Sequence, residues 1–152
     1  MPNLSPAKYR NKFVRVDGVH FHSKWEAEYW LALELAQQDG LIDRLRRQVR
    51  YDLVVNSQKV GRAVIDFAFM RIENNAARQF HLQDCKGYVR NGTPATALWK
   101  LKYAIIEATT GTQVEVITKP RRKDIEDNTL QTFQSRLYSY LAHVPSDRIT
   151  PS

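Results

Sequence analysis

The spacing of apolar and polar positions changes several times along the chain, and each change marks an element. Residues 1–12 are polar, carry Pro2 and Pro6, and predict a loose N-terminal arm. Phe13-Val14-Arg15-Val16 and Val19-His20-Phe21 flank Asp17-Gly18, a pair that favours a tight turn between strands, so 13–21 predicts a hairpin. From Ser23 to about Gln38 the apolar period becomes helical: Trp25, Tyr29, Ala32, Leu33 and Ala36 share one face. Leu31 and Leu35 widen that face, which predicts a well-buried helix. Ser23-Lys24-Trp25-Glu26 opens it as a capping-box pattern, and Gly40 ends it.

Beyond the helix, 49–55 reads as a strand and Asn56-Ser57-Gln58-Lys59 as a turn. Residues 60–72 alternate, with Val64, Asp66, Ala68 and Met70 on one side and Ile65, Phe67, Phe69 and Arg71 on the other. After the polar turn Glu73-Asn74-Asn75, 78–86 predicts another strand with Phe80, Leu82, Asp84 and Lys86 on one face. Thr93-Pro94 opens a helix to about Ala108, with proline at its first position, and Gly111 closes it. Val114-Glu115-Val116-Ile117 is a further strand. Residues 128–143 predict a last helix, with Leu130, Phe133, Leu137, Tyr138 and Leu141 at helical spacing. The expectation is one α/β domain over 13–143, a mixed central sheet flanked by helices, followed by a tail at 144–152.

Composition narrows the class. A 152-residue chain with 43% hydrophobic and 26% charged residues can bury one core. No apolar run approaches the roughly 20 residues of a membrane span, and the N-terminus lacks an apolar signal core, so a soluble, cytoplasmic protein is expected. Cys85 is the single cysteine, which rules out an internal disulfide and multi-cysteine zinc sites. The net charge of +7 favours an anionic partner, nucleic acid above all, although a basic surface also serves solubility. Arg44, Arg46, Arg47 and Arg50 form one basic group. Lys86, Arg90, Lys100 and Lys102 lie in an acid-free stretch, and Lys119, Arg121, Arg122 and Lys123 form a third group.

The chemistry centres on Asp84-Cys85-Lys86-Gly87. In a strand, Asp84 and Lys86 point the same way and Cys85 the other. A carboxylate beside an ammonium can hold a cation and steer a water, and Gly87 would admit a close backbone. Alone the triplet means little, since 16 acids and 9 lysines give roughly one acid-x-Lys by chance. Asp66 adds weight: a carboxylate amid Val64-Ile65-Asp66-Phe67-Ala68-Phe69 is costly to bury unpaired. A metal or Lys86 would offset that cost, and so would a structural hydrogen bond or ion pair. Glu26 sits at the edge of the first helix's apolar face, where it could look towards the sheet; a helix cap explains it as well.

Taken together, Ser23-x-x-Glu26, Ile65-Asp66-Phe67 and Asp84-x-Lys86 resemble the PD-(D/E)xK nuclease superfamily. Lys8-Tyr9-Arg10-Asn11-Lys12, Val16-Asp17-Gly18, Phe21-x-Ser23-Lys24-x-Glu26-Ala27 and Asp84-x-Lys86-Gly87 are similar to a small family of phage-encoded, Holliday-junction-resolvase-like endonucleases. The resemblance covers roughly residues 8–118, with Ile65 where the superfamily's proline would stand. It implies a restriction-endonuclease-like fold and Mg²⁺-dependent hydrolysis of DNA phosphodiesters, with Mn²⁺ able to substitute. Asp66, Asp84 and Glu26, with the Cys85 backbone carbonyl, would hold the metal, and Lys86 would position or activate the attacking water. A hard cation suits oxygen ligands, stabilises charge on the scissile phosphate and lowers the pKa of a bound water.

Arg90, Lys100, Lys102, Arg121, Arg122 and Lys123 would then meet phosphates, giving affinity without sequence information. Cutting directed by branched DNA structure, or weakly sequence-specific, is expected. A non-catalytic DNA-binding module on the same scaffold is the alternative. His20 and His22 share a strand face but lack a third metal ligand. Trp25, Trp30 and Trp99 fall in helical apolar patterns and are expected in the core. A homodimer is compatible with two-strand cutting, with Phe133, Leu137 and Tyr140 either facing a partner or packing on the chain's own sheet.

Overall fold

A computed structural model describes residues 12–73, 78–87, 91–126 and 132–152. Strands β1 (Val14–Val16) and β2 (Val19–Phe21) form the expected hairpin, and Asp17 (φ 50°) and Gly18 (φ 81°) both take the positive φ that its two-residue turn demands. Helix α1 (Lys24–Gln38) follows; the Ser23 hydroxyl accepts from the Glu26 backbone N–H at 3.1 Å. Next come β3 (Ile42–Val55), β4 (Gln58–Ile72) and β5 (Arg78–Lys86), an antiparallel meander. Helix α2 (Pro94–Thr110) ends at Gly111, whose φ of 76° is a left-handed cap that suits glycine. It leads to β6 (Val114–Thr118), parallel to β5. The large sheet thus runs β3-β4-β5-β6, a mixed central sheet between helices.

Apolar burial on both sides holds this sheet. Phe67 and Phe69 of β4 and Ile117 of β6 pack with Tyr29, Leu31 and Leu33 of α1. Ala68, Leu82 and Val114 pack with Ile106 of α2. Full burial of Phe67 or Phe69 contributes about 1.5–3 kcal/mol each. A ring of hydrogen bonds crosses the first of these cores. The Tyr29 hydroxyl donates to Gln83 Oε1, Gln83 Nε2 donates to Gln134 Oε1 at 2.8 Å, and Gln134 Nε2 donates to Tyr29 Oη at 2.9 Å.

Several elements differ from the sequence expectation. Strand β3 begins at Ile42 rather than at 49, because the basic segment pairs with β4 as far as Arg71. Its alternation was hidden by two residues of positive φ, Arg44 and Gln48 (both 54°). The last helix was expected over 128–143. Within the described residues it is α4 (Phe133–Ser139), capped by a reciprocal Thr132–Ser135 box and continued by a 3-10 turn, Tyr140–His143. Residues 127–131, including Leu130, lie outside the described residues, as does most of the N-terminal arm. A short helix α3 (Arg122–Glu126) was not expected. Nor was β7 (Ile149–Pro151), which pairs antiparallel with β1 and makes the tail part of a small sheet of order β2-β1-β7. Phe133 and Leu137 are buried in the chain's own core, so that face of α4 is already occupied. No described helix is long and apolar enough to cross a membrane.

Candidate active site

The site forms where strands β4 and β5 part. Their ladder runs from Ile72↔Arg78 to Phe67↔Gln83 and stops there. Beyond it each strand's carboxylate takes a backbone donor from the other: the Asp66 N–H donates to Asp84 Oδ1 at 3.1 Å, and the Cys85 N–H donates to Asp66 Oδ2 at 2.9 Å. Buried N–H groups that lose a carbonyl partner need another acceptor, and these carboxylates supply it. The structural bond left open for Asp66 in the sequence therefore exists. Strict alternation also breaks here. Ile65 joins Ala68 on the α2 side while Phe67 turns to α1, so Asp66 sits at the change of face.

Asp84 is buried, and its second oxygen is shared. Lys86 Nζ lies 2.9 Å from Asp84 Oδ2, and the Tyr103 hydroxyl donates to the same oxygen. As expected from strand geometry, Asp84 and Lys86 face one way, towards α2, and Cys85 packs into the α1 core. Lys86 Nζ also stands 5.5 Å from the Trp99 ring centroid. Glu26 is buried at 4% exposure although it is charged and near a helix start. Its backbone N–H is capped by Ser23, and its carboxylate lies between the start of the helix and β3: His22 Nδ1 is 3.7 Å from Oε2, and Gln48 Nε2 is 3.5 Å from Oε1. The cap sets where the helix begins, and the Glu26 side chain is buried between that start and the sheet.

Glu26, Asp66, Asp84 and Lys86 all line one cavity of about 730 Å³, together with His22, Arg62, Trp99, Lys102 and Tyr103. Burial, then Asp84 and Glu26, push the Asp66 carboxyl up to about 9. Burial also raises Glu26, opposed by His22 and Arg47. Tyr103 is pushed up by burial and by Asp84, so its hydroxyl keeps its proton and donates. Burial raises the Cys85 thiol as well, which leaves its side chain un-ionised. The three carboxylates form a hard, oxygen-only donor set of the kind Mg²⁺ takes. Among the described residues, no three acidic, His or Cys side chains already converge as a metal cluster. The fit rests on the donors' chemistry.

The other expected residues divide. Lys102 lines the cavity. Lys100 does not; its Nζ donates to Asn91 Oδ1 at 3.1 Å. Arg121 is tied to Asp124, with Nε 3.1 Å from Oδ2, and with exposed Arg122 and Lys123 it stands at α3, outside the cavity lining. Arg90 lies outside the described residues. Trp99 was expected in the core; it is half-buried and lines the cavity instead, because only Thr96 and Ile106 of α2 are buried. A Cβ added to Gly87 would meet nothing within 4 Å, so close backbone approach does not explain that glycine. His20 is engaged with Ser152 Oγ at 3.1 Å.

The sequence did not point to Tyr103, Arg62 and His22 as cavity residues, nor to Gln48 as a hydrogen-bond partner of Glu26 and Asp66. Tyr103 was legible: Trp99, Tyr103 and Ile106 are spaced to share a helix face. Gln48 was not, since a polar residue in a basic segment carries no periodic signal. All of these residues fall inside the span that a family model matches. No curated protein and no solved structure matches the chain. Residues 6–114, carrying every carboxylate of the cavity together with Lys86 and Tyr103, match the family described as protein of unknown function (DUF1064), and the chain belongs to that family.

Proposed function

We propose that this cavity is the active centre of a Mg²⁺-dependent endonuclease that hydrolyses DNA phosphodiesters. The observation that carries the reading is the gathering of Glu26, Asp66, Asp84 and Lys86, from three separate elements, in one cavity of about 730 Å³ with Arg62 and Lys102 on its wall. Asp66 and Asp84, with Glu26 and the Cys85 carbonyl, would hold the cation. When bound, Mg²⁺ supplies charge stabilisation at the scissile phosphate. Lys86, held by Asp84 at 2.9 Å, orients the attacking water and keeps its own ammonium beside the developing charge. Tyr103 fixes Asp84 from the other side by its hydrogen bond. Arg62 and Lys102 hold the flanking phosphates, an affinity term without sequence readout.

DNA is the partner in this reading, and its setting is intracellular, as for the phage-encoded resolvase-like endonucleases the chain resembles. Branched substrates follow from that resemblance, and paired cuts on two strands would need a second copy of the site, which a homodimer supplies. The test incubates the protein with branched, linear and single-stranded DNA, with Mg²⁺, Mn²⁺ or EDTA. Wild type cuts with either metal and not with EDTA. Asp84→Asn and Lys86→Ala each lower the rate by about 10²-fold or more, the scale of one lost electrostatic group. Cutting by both variants at the wild-type rate defeats the proposal. Binding without cutting by wild type points instead to a DNA-binding module on a nuclease-like scaffold.

A further inference from the structure

We propose that Gln48 is a positioning residue that sets Glu26 of α1 against Asp66 of β4 for cation binding; the inference rests on the nuclease reading of the cavity. Its Nε2 lies 3.5 Å from Glu26 Oε1 and 3.4 Å from Asp66 Oδ1. A primary amide carries two N–H donors on one nitrogen, so one group can serve both carboxylates. No other described side chain hydrogen-bonds to both.

The backbone at Gln48 is arranged for this reach. Its φ of 54° is left-handed, a costly region for a residue with a Cβ. The Gln48–Asp66 pair is missing from a ladder whose neighbours Arg47↔Phe67 and Val49↔Ile65 both form. A non-glycine residue held in such a conformation persists only where its surroundings demand it, and such residues gather at functional sites. Here the distortion replaces one rung of the ladder with a side chain turned to the two carboxylates.

The choice of an amide has a chemical reason. Lysine or arginine at this place would set a fixed positive charge against the carboxyl oxygens and compete with a divalent cation. Glutamine supplies hydrogen bonds and no charge, so Glu26 and Asp66 are ordered while their oxygens stay open to a cation that displaces the proton. Arg47, the neighbouring cation, stands 4.0 Å from Glu26 Oε1, with its guanidinium over the Phe21 ring and one N–H given to the His20 carbonyl at 2.9 Å. Groups that orient metal ligands typically change affinity 10–100-fold when lost.

Two variants separate the amide from the backbone. Gln48→Met keeps the chain length and removes both donors. Gln48→Gly removes the side chain and suits the left-handed φ, so it folds even if the methionine variant does not. Mn²⁺ affinity is read from the electron paramagnetic resonance of the free ion, with circular dichroism as the check on folding. Both variants are expected to bind Mn²⁺ about 10-fold or more weakly than wild type, and the Mg²⁺ concentration for half-maximal cutting rises in step, with KM for DNA unchanged. Wild-type Mn²⁺ affinity in Gln48→Gly overturns the inference and leaves the nuclease reading standing. No Mn²⁺ binding by wild type overturns the metal reading of the cavity itself, and this inference with it.

Discussion

Burial and the neighbouring charges of Asp84 and Glu26 hold a proton on Asp66 up to about pH 9. The unfolded chain releases that proton near the ordinary carboxyl value of 3.8. Between those values the folded state binds the extra proton, so stability falls as pH rises through this window. Glu26 is shifted in the same direction and adds to the slope. In EDTA, the melting temperature of wild type therefore drops between about pH 5 and about pH 9, and Asp66→Asn flattens the drop. At about pH 9 the variant melts above wild type by about 4 °C or more, since 1 kcal/mol moves a chain of this size by about 2–4 °C. Mg²⁺ raises the melting point of wild type and leaves that of Asp66→Asn nearly unmoved. A second residue-level outcome concerns Tyr103. Tyr103→Phe removes a hydrogen bond to a charged acceptor, and chemical denaturation should show a loss of about 1.5–3 kcal/mol at neutral pH.

Among the elements, those with strong local signals were legible. The hairpin followed from Asp17-Gly18, α1 from Ser23 and its apolar period, and α2 from Thr93-Pro94 and Gly111. The start of β3 was not, because Arg44 and Gln48 break its alternation, and the pairing that makes it a strand comes from β4. The C-terminal segment lies beyond the family match, yet α4 is part of the core: Leu137 is fully buried, and Gln134 closes the hydrogen-bond ring with Tyr29 and Gln83. Leu137→Ala should cost about 2–5 kcal/mol of unfolding free energy, as expected for a large-to-small change in a packed core. A loss below about 1 kcal/mol would mean that α4 is a detachable appendage rather than a wall of the α1 core.

For the whole molecule, charge and topology bear on function separately. On the proposed nuclease reading, a net charge of +7 would draw DNA non-specifically and make its binding salt-sensitive. Of the three basic groups in the sequence, the second sends Lys86 and Lys102 to the cavity, the first sends Arg47 towards Glu26, and the third stays at α3. Arg62, which belongs to none of them, is a cavity residue. Lys102→Ala should weaken DNA binding alike for all sequences and make the slope of log K against log salt shallower by about 1, measured by fluorescence anisotropy in EDTA with Asp84→Asn as the parent. An unchanged slope would place the phosphate path elsewhere.

The amino-acid sequence alone determined the alternation of helices and strands, the shared face of Asp84 and Lys86, and the oddity of a carboxylate at Asp66, because each depends on residues within a few positions of one another. It left open whether Glu26 was more than a cap, whether Asp66 had a structural partner, and which basic residues stood near them. Those answers come from groups far apart in the chain: Asp66 meets the Cys85 N–H, Asp84 meets the Tyr103 hydroxyl, and Glu26 shares Gln48 with Asp66. Only the packing of α1 and α2 around the parting of β4 and β5 brings these groups within hydrogen-bond range. Local period sets the direction of a side chain, and tertiary structure alone sets what it meets there.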